Sequence, residues 1–210
     1  MSQIYLPFDC ETGGLNAKSA DLLTLYMAIM DENFQILEEL DLKLKPEGRL
    51  PVCEAGALRV NGINVEAHLA NPSTITYSEA NKQITAMIRR HLKKTGRFSN
   101  IRPLGYNVDF DIKFVQEHIL PEDEWNSMIH YGKIDPKGYV ELFKDAGWFP
   151  RDLGTLVSVV DYLQVPKRGA HNAKEDTLMT VDVYKKIIEM LKNKKENGSS
   201  QDLISLLEAE

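Results

Sequence analysis

The chain has little cysteine, no excess of positive charge and no long apolar run. Only Cys10 and Cys53 occur among its 210 residues, too few for a disulfide framework and in keeping with reduced thiols. The opening stretch, Met1 to Phe8, lacks the cationic lead and the length of a secretory signal. We therefore expect a protein of the cytoplasm that does not associate with membranes.

The balance of charge limits the kind of partner the protein can bind. Acidic residues outnumber basic ones by 31 to 25, which gives a formal net charge of −6. Wrapping of duplex nucleic acid usually needs a basic face, so this charge argues against it. A protein that holds only a few nucleotides, through bound cations, is still compatible with it. The composition, 43% hydrophobic and 27% charged, excludes disordered, collagen-like and membrane classes.

The order of the predicted elements indicates an α/β domain. Alternating apolar residues from Ile4 to Cys10 predict a first strand, and segments 22–30 and 34–43 predict two more, joined as a hairpin. A loop rich in proline and glycine follows at 46–62. Further strands are predicted at 103–106 and 128–134, and helices at 78–94, 109–118, 138–146, 152–163 and 172–191. We therefore expect a mixed five-stranded sheet with helices on both faces.

The C-terminal part of the sequence is predicted to lie outside this domain. Residues 1–192 form the predicted domain, and residues 193–210 a flexible linker with a short apolar segment. The segment could pack on its own domain or on a second copy, or it could tether the chain to a polymerase or a sliding clamp. Whether the protein is a monomer or a homodimer stays open.

Several acidic residues stand where the local pattern asks for apolar ones. Asp9 and Glu11 are two apart on the first predicted strand, so both side chains face the same side of the sheet. Asp111 falls on the apolar face of a predicted helix, whereas Asp109 falls on the opposite face. Because an unpaired buried carboxylate is costly, these positions indicate a compensating partner such as a cation. Taken alone, each also fits the end of a strand or the first turn of a helix.

A third group lies at the start of the last predicted helix. A glycine-containing loop leads to His171, and Asp176 lies one turn inside the helix, in line with Thr180 and Val183. Taken singly, His171 and Asp176 are more typical of a solvent-facing helix start. The functional interpretation depends on all three groups occurring in this order.

The three segments that carry these residues resemble the motifs of the DEDDh superfamily of 3′-5′ exonucleases. They are Phe8–Leu15, Asn107–Asp111 and His171–Asp176, and the resemblance spans residues 4 to 191. The superfamily includes proofreading epsilon subunits, RNase T and oligoribonuclease. The resemblance implies a ribonuclease H-like fold with sheet order 3-2-1-4-5.

The resemblance also implies a role for individual residues. Four carboxylates would bind two divalent cations, Mg²⁺ or Mn²⁺, which prefer hard oxygen ligands. These are Asp9, Glu11, Asp111 and Asp176, and His171 would be the general base. The substrate would be the 3′ end of a single-stranded nucleic acid, and the products nucleoside 5′-monophosphates. The residues expected to contact this substrate are Thr12, Gly13, Leu15, Asn61, Asn107 and Phe110.

Three functions stay open on the sequence alone. DNA, in proofreading or repair, is slightly favoured over RNA, although no residue clearly reads the ribose 2′-hydroxyl. An RNA-trimming exoribonuclease is the first alternative. A catalytically silent nucleic-acid-binding module is the second, and the presence of all four acids and His171 argues against it.

Pro7, in a strand expected inside the sheet, predicts a bulge or an unpaired position there.

Overall fold

A β-sheet lies at the centre of the protein, which is described by a computed structural model over residues 3–96, 98–169 and 172–197. The strands are β1 (Ile4–Thr12), β2 (Leu22–Met30), β3 (Ile36–Lys45), β4 (Thr74–Thr76), β5 (Lys94–Thr95), β6 (Phe98–Ser99) and β7 (Ile101–Leu104). The helices are α1 (Ala55–Asn61), α2 (Val65–Ala70), α3 (Tyr77–His91), α4 (Val108–His118), α5 (Glu122–Met128), α6 (Pro136–Asp145), α7 (Leu156–Leu163) and α8 (Ala173–Asn197).

Five of these strands form one mixed sheet in the order β4-β3-β2-β1-β7. Strands β1, β2 and β3 are antiparallel neighbours, whereas β7 pairs with β1, and β4 with β3, in parallel. Strands β5 and β6 pair only with each other. The prediction of a mixed five-stranded sheet is confirmed, as is the order of its first four predicted strands, 3-2-1-4.

The segment 128–134, predicted as the fifth strand, is not a strand of the sheet, although it lies beside β7 as predicted. Helix α5 ends at Met128. After it, Ile134 forms an isolated bridge with Leu104, and the N–H groups of His130 and Ile134 donate to the carbonyl oxygens of Ile101 and Pro103, both at 2.8 Å. The buried residues Trp125, Met128 and Ile129 follow helical spacing, so the apolar stretch packs as a helix and its exit. The fifth strand of the sheet is instead β4, at the opposite edge beside β3.

Other boundaries also differ from the predictions. The predicted loop at 46–62 contains α1, which has no buried residue and therefore no apolar stripe to reveal it. Helix α8 continues to Asn197, past residue 193, where the linker was expected to begin. Residues 198–210, with the apolar segment and its suggested partners, lie outside the described residues. None of the described helices combines the length and the apolar character needed to cross a bilayer.

Helices cover both faces of the sheet, as predicted. On β2, Leu25, Met27 and Ile29 belong to the core shared with α3, α4 and α5. Their neighbours on the strand, Tyr26 and Met30, belong to the core on the side of α8. Because both faces of β2 are covered, its sequence is apolar almost throughout, and the adjacent strand β1 is held between rigid layers.

Leu44 and Leu37 lie on the same strand, β3, and allow a matched test of this core. Leu44 is fully buried, whereas Leu37 is 49% exposed. We expect Leu44→Ala to lower the free energy of unfolding by about 2–5 kcal/mol, because it leaves a cavity among packed side chains. Leu37→Ala should change it by less than about 0.5 kcal/mol. Urea denaturation measures both, and equal losses would contradict the assignment of Leu44 to the core.

Candidate metal centre

Three carboxylates converge at the end of β1. Asp9 and Glu11 lie on this strand and face the side covered by α8, and Asp176 lies in the first turn of α8. Each of the three contributes an oxygen that lies within 4.8 Å of the oxygens of the other two. Ionised oxygens this close repel one another, so a cation between them would stabilise the group.

Asp111 approaches the same site from the first turn of α4. Its side chain is buried, and its Oδ1 accepts hydrogen bonds from the backbone N of Cys10 at 3.2 Å and from the Cys10 thiol at 3.0 Å. Cys10 lies between Asp9 and Glu11 on β1, so these bonds hold Asp111 beside both of them. Asp109, two residues earlier, is 58% exposed and forms an ion pair with Lys133. The sequence-based distinction between the two acids therefore agrees with the structure.

Burial and mutual repulsion make these carboxylates hard to ionise. Burial, followed by the charge of Asp111, raises the pKa of Asp9 well above its usual range. Burial and the charges of Asp176 and Asp111 raise the pKa of Glu11 to about 7. Burial also raises the pKa of Asp111 to about 7, against the hydrogen bonds from Cys10, which lower it. A set of hard oxygen donors that is this costly to ionise fits a divalent cation, which would compete with the protons.

The backbone of β1 is irregular at the site. The register between β1 and β2 shifts between Glu11 and Thr12, as in a β-bulge, while it is the same on both sides of Pro7. No bulge therefore occurs at Pro7, but neither Leu6 nor Pro7 has a register partner in β2, in agreement with the alternative expectation of an unpaired position. Bulges turn a strand locally and re-aim its side chains, and they are common beside active sites. Here the bulge follows directly after the second acidic residue.

The start of α8 is tied to the sheet by a lysine two residues before Asp176. Lys174 Nζ donates to Glu39 on β3 at 2.9 Å and lies over the ring of Tyr26, 5.2 Å from its centroid. The hydroxyl of Tyr26 donates to the same carboxylate. These contacts join β2, β3 and α8 beside the metal centre and fix the end of the helix that carries Asp176.

A cavity of about 370 Å³ adjoins Glu11. Five residues singled out from the sequence line it: Glu11, Thr12, Leu15, Asn61 and Phe110. Helix α1 forms one wall; residues 57–63 resemble the family segment that contacts the terminal nucleotide, but that the segment is helical was not predicted. The other lining residues are Cys10, Gly14, Glu54, Gly56, Ala57 and Val60. The small residues at the start of α1, Gly56 and Ala57, are the sequence signal that could have indicated a close approach there.

Two of the predicted substrate-contacting residues do not line the cavity. Asn107 begins α4 in the left-handed region, with φ of 64°, and its Oδ1 accepts from Lys137 at 3.3 Å. Gly13 has no room for a side chain, since an added Cβ would lie 2.4 Å from the carbonyl oxygen of Val52. Both residues have a structural role in this arrangement. His171 lies outside the described residues, so its role stays a prediction.

The sheet, the helices on both faces and the carboxylate cluster at the end of β1 define a nuclease with a ribonuclease H-like fold. Residues 6–184 match the family model described as exonuclease, that of RNase T, and the chain belongs to this family. The resemblance to the DEDDh-type family of 3′-5′ exonucleases is thereby confirmed.

Two relatives in this family are oligoribonucleases. The chain is 26% identical over 175 residues to the oligoribonuclease of Rhodococcus jostii (strain RHA1), and this match covers 80% of this chain and 77% of the relative. It is 26% identical over 179 residues to that of Tropheryma whipplei (strain Twist), which covers 82% and 85%.

The fold is shared with exonuclease I. The zinc-bound complex of E. coli exonuclease I with single-stranded DNA superposes with a TM-score of 0.69 at 18% identity, over 92% of this chain and 42% of that one. The enzyme from Methylocaldum szegediense gives 0.68 at 18% identity, over 89% and 40%. The chain thus spans about two fifths of the length of these exonuclease I chains.

The raised pKa values predict how stability depends on pH in metal-free protein. Glu11 and Asp111 keep their protons up to about pH 7 in the folded state but release them near pH 4 when unfolded. The free energy of unfolding should therefore fall as the pH rises through this window, because the folded state must then ionise buried groups. Melting temperatures measured in EDTA across this range test the expectation.

The neighbouring acids provide the control for this measurement. Asp111→Asn, which imitates the protonated acid, should flatten the pH dependence, whereas Asp109→Asn should leave it unchanged. Mn²⁺ should raise the melting temperature of the unmodified protein most at the alkaline end, because there it competes with fewer protons. A melting temperature that rises with pH through the window, or equal slopes in both variants, would contradict the account.

Proposed function

We propose that the protein removes nucleoside 5′-monophosphates, one at a time, from the 3′ end of single-stranded nucleic acid in a reaction that needs divalent metal ions, with DNA as the favoured substrate. The convergence of Asp9, Glu11 and Asp176, with Asp111 beside them, carries this proposal. The adjoining cavity, of about 370 Å³, has the size of a small-molecule ligand pocket. A site for phosphodiester hydrolysis thus lies directly beside a space for the terminal nucleoside.

The donor set supports Mg²⁺ or Mn²⁺ as the ions. All four side chains, those of Asp9, Glu11, Asp111 and Asp176, offer hard oxygen ligands, and zinc would prefer nitrogen or sulfur. When bound, a pair of such ions supplies activation of a water molecule and stabilisation of the leaving 3′ oxygen. The protein's own part is to hold the carboxylates in place, through β1, through the Cys10 bonds to Asp111 and through the Lys174 contact that fixes α8.

His171 is proposed as the base that takes the proton from the attacking water. Its unperturbed pKa of about 6.5 suits proton transfer near neutral pH. The support is the sequence spacing, in which His171 precedes Asp176 by five residues, as in the DEDDh motif. Asp176, the last residue of the same motif, is among the converging carboxylates, which supports the assignment of the motif.

The cavity lining supports a single-stranded substrate and little discrimination among bases. Leu15 is 83% exposed and Val60 is 63% exposed, and with Phe110 they offer apolar surface to a base. Such surfaces stack on any base but need it to be unpaired. The side-chain amide of Asn61 is already bonded to the backbone of Thr12 and Ile63, and the Thr12 hydroxyl to Gly14. These neutral polar groups already form hydrogen bonds within the protein. This supports a site that does not depend on a hydrogen bond to a ribose 2′-hydroxyl.

RNA is the second candidate substrate. The two oligoribonuclease relatives match over 77% and 85% of their own lengths, whereas the exonuclease I structures match over about two fifths. Glu54 also lines the cavity, and its carboxylate is an acceptor that a ribose hydroxyl could use. The rates at which the protein digests DNA and RNA of the same sequence distinguish the two candidates.

Digestion of 5′-labelled single-stranded DNA and RNA of one sequence tests the proposal. With Mg²⁺ or Mn²⁺ we expect a ladder that shortens from the 3′ end, faster for DNA, and no cleavage in EDTA. Asp9→Ala should abolish it, and His171→Ala should slow it by about 10²–10⁴-fold, the usual contribution of a general base. Asp109→Asn is the control and should retain the rate. Faster digestion of RNA would favour the second candidate, and no digestion of either polymer would refute both.

Leu15 allows a separate test of the cavity. We expect Leu15→Ala to raise KM for a single-stranded oligonucleotide about tenfold, because one base loses its stacking surface. Leu142→Ala, at another exposed leucine (61% exposed) on α6, is the matched control and should leave KM unchanged. Steady-state kinetics with a short labelled oligonucleotide measure both. A KM equal to that of the control variant would remove Leu15 from the substrate site.

A further inference from the structure

One buried carboxylate lies away from the metal centre. Asp21, just before β2, is 1% exposed. It accepts two hydrogen bonds from the guanidinium of Arg49, at 2.6 and 2.8 Å, one from the backbone N of Val52 at 2.6 Å and one from the hydroxyl of Tyr77 at 3.1 Å. His118 also faces it, with Nδ1 at 3.8 Å. A bidentate arginine on a buried carboxylate fixes geometry as well as charge.

The backbone around Asp21 joins two segments that flank the cavity. The N–H of Asp21 donates to Val52 O at 3.1 Å, and the N–H of Gly13 donates to Asp21 O at 2.7 Å. The N–H of Glu54 then donates to Gly13 O at 2.6 Å. Residues 49–54 are therefore held alongside the end of β1, and the missing side chain of Gly13 makes this approach possible.

Helix α1 follows directly and forms one wall of the cavity. It contains no buried residue, so the hydrophobic core does not fix its position. Its C-terminal end is held by the side chain of Asn61, which donates to Thr12 O at 3.1 Å. Its N-terminal end is held through Glu54, which precedes Ala55 and lies so close to Gly14 that a Cβ there would be 2.7 Å from its carboxylate. The wall thus depends on hydrogen bonds at both ends.

We infer that Asp21 and Arg49 form a positioning pair that sets the wall of the substrate cavity from Glu54 to Asn61 and so determines how tightly the nucleotide is held. The inference rests on the proposed function. Replacing Arg49 should remove little packing, because its side chain is half-exposed. It would, however, leave the buried Asp21 carboxylate without its charged partner, which favours rearrangement of residues 49–54. A displaced wall weakens binding while the carboxylates on β1, α4 and α8 stay in place.

Kinetics of Arg49 variants on a 5′-labelled single-stranded DNA oligonucleotide with Mn²⁺ test this inference. We expect Arg49→Met to raise KM about tenfold and to keep kcat within about twofold, the pattern of lost substrate binding. Arg49→Lys should recover part of the loss, since it restores the charge but not the bidentate geometry. The Mn²⁺-induced rise in melting temperature should match that of the unmodified protein in both variants.

Arg90→Met provides the control. Arg90 forms an ion pair with Glu38, and its side chain is 56% exposed, close to the 51% of Arg49. It should leave KM unchanged. An unchanged KM in Arg49→Met, or a fall in kcat alone, overturns the inference, and if Arg49→Met does not fold, the KM of Arg49→Lys decides. Absence of metal-dependent digestion by the unmodified protein would instead refute the proposed function, so the two failures are distinguishable.

Discussion

The mutual repulsion of four carboxylates at the end of β1 is the constraint on which the rest of the structure depends. Burial and the neighbouring charges raise the pKa of Asp9, Glu11 and Asp111, so the fold must hold in place groups that tend to separate. Two of the four carboxylates lie on β1 within the sheet, and the other two lie on α4 and α8, which pack against the sheet. A cation bound among these carboxylates would relieve the repulsion.

Rigid elements supply the carboxylates, whereas the substrate cavity is built from less buried parts. Strand β1 lies between β2 and β7, and α8 is fixed beside Asp176 by the contact of Lys174 with Glu39. Helix α1, in contrast, has no buried residue and is held by hydrogen bonds at its ends. Under the proposed function, chemistry and substrate affinity can therefore vary independently, since different interactions position the carboxylates and the cavity wall.

The acidic motif residues could be placed from the sequence, whereas the surroundings of the asparagines could not, because their contacts are distant along the chain. Asp9 and Glu11 lie on one face because of the period of a strand, and Asp111 is separated from Asp109 by the period of a helix, so short spacing determines both. Asn107 and Asn61 carry no such periodic signal. Their side chains are engaged by Lys137 and by the backbone of Thr12, partners 30 and 49 residues away in the chain.

The sequence by itself determined the helices on both faces, the shared face of Asp9 and Glu11 and the distinction between Asp109 and Asp111, because these follow from local spacing and periodicity. The exonuclease family and the order of the first four strands came from the resemblance of its motifs. Only the tertiary structure decided the fifth strand, the helical form of α1 and the pairing of Asp21 with Arg49. Met128 and Ile129 could begin a strand or end a helix, and their burial with Trp125 in the core selects the helix. Arg49 and Asp21, 28 residues apart, carry no pattern that pairs them, since their contact depends on how the chain returns to the end of β1.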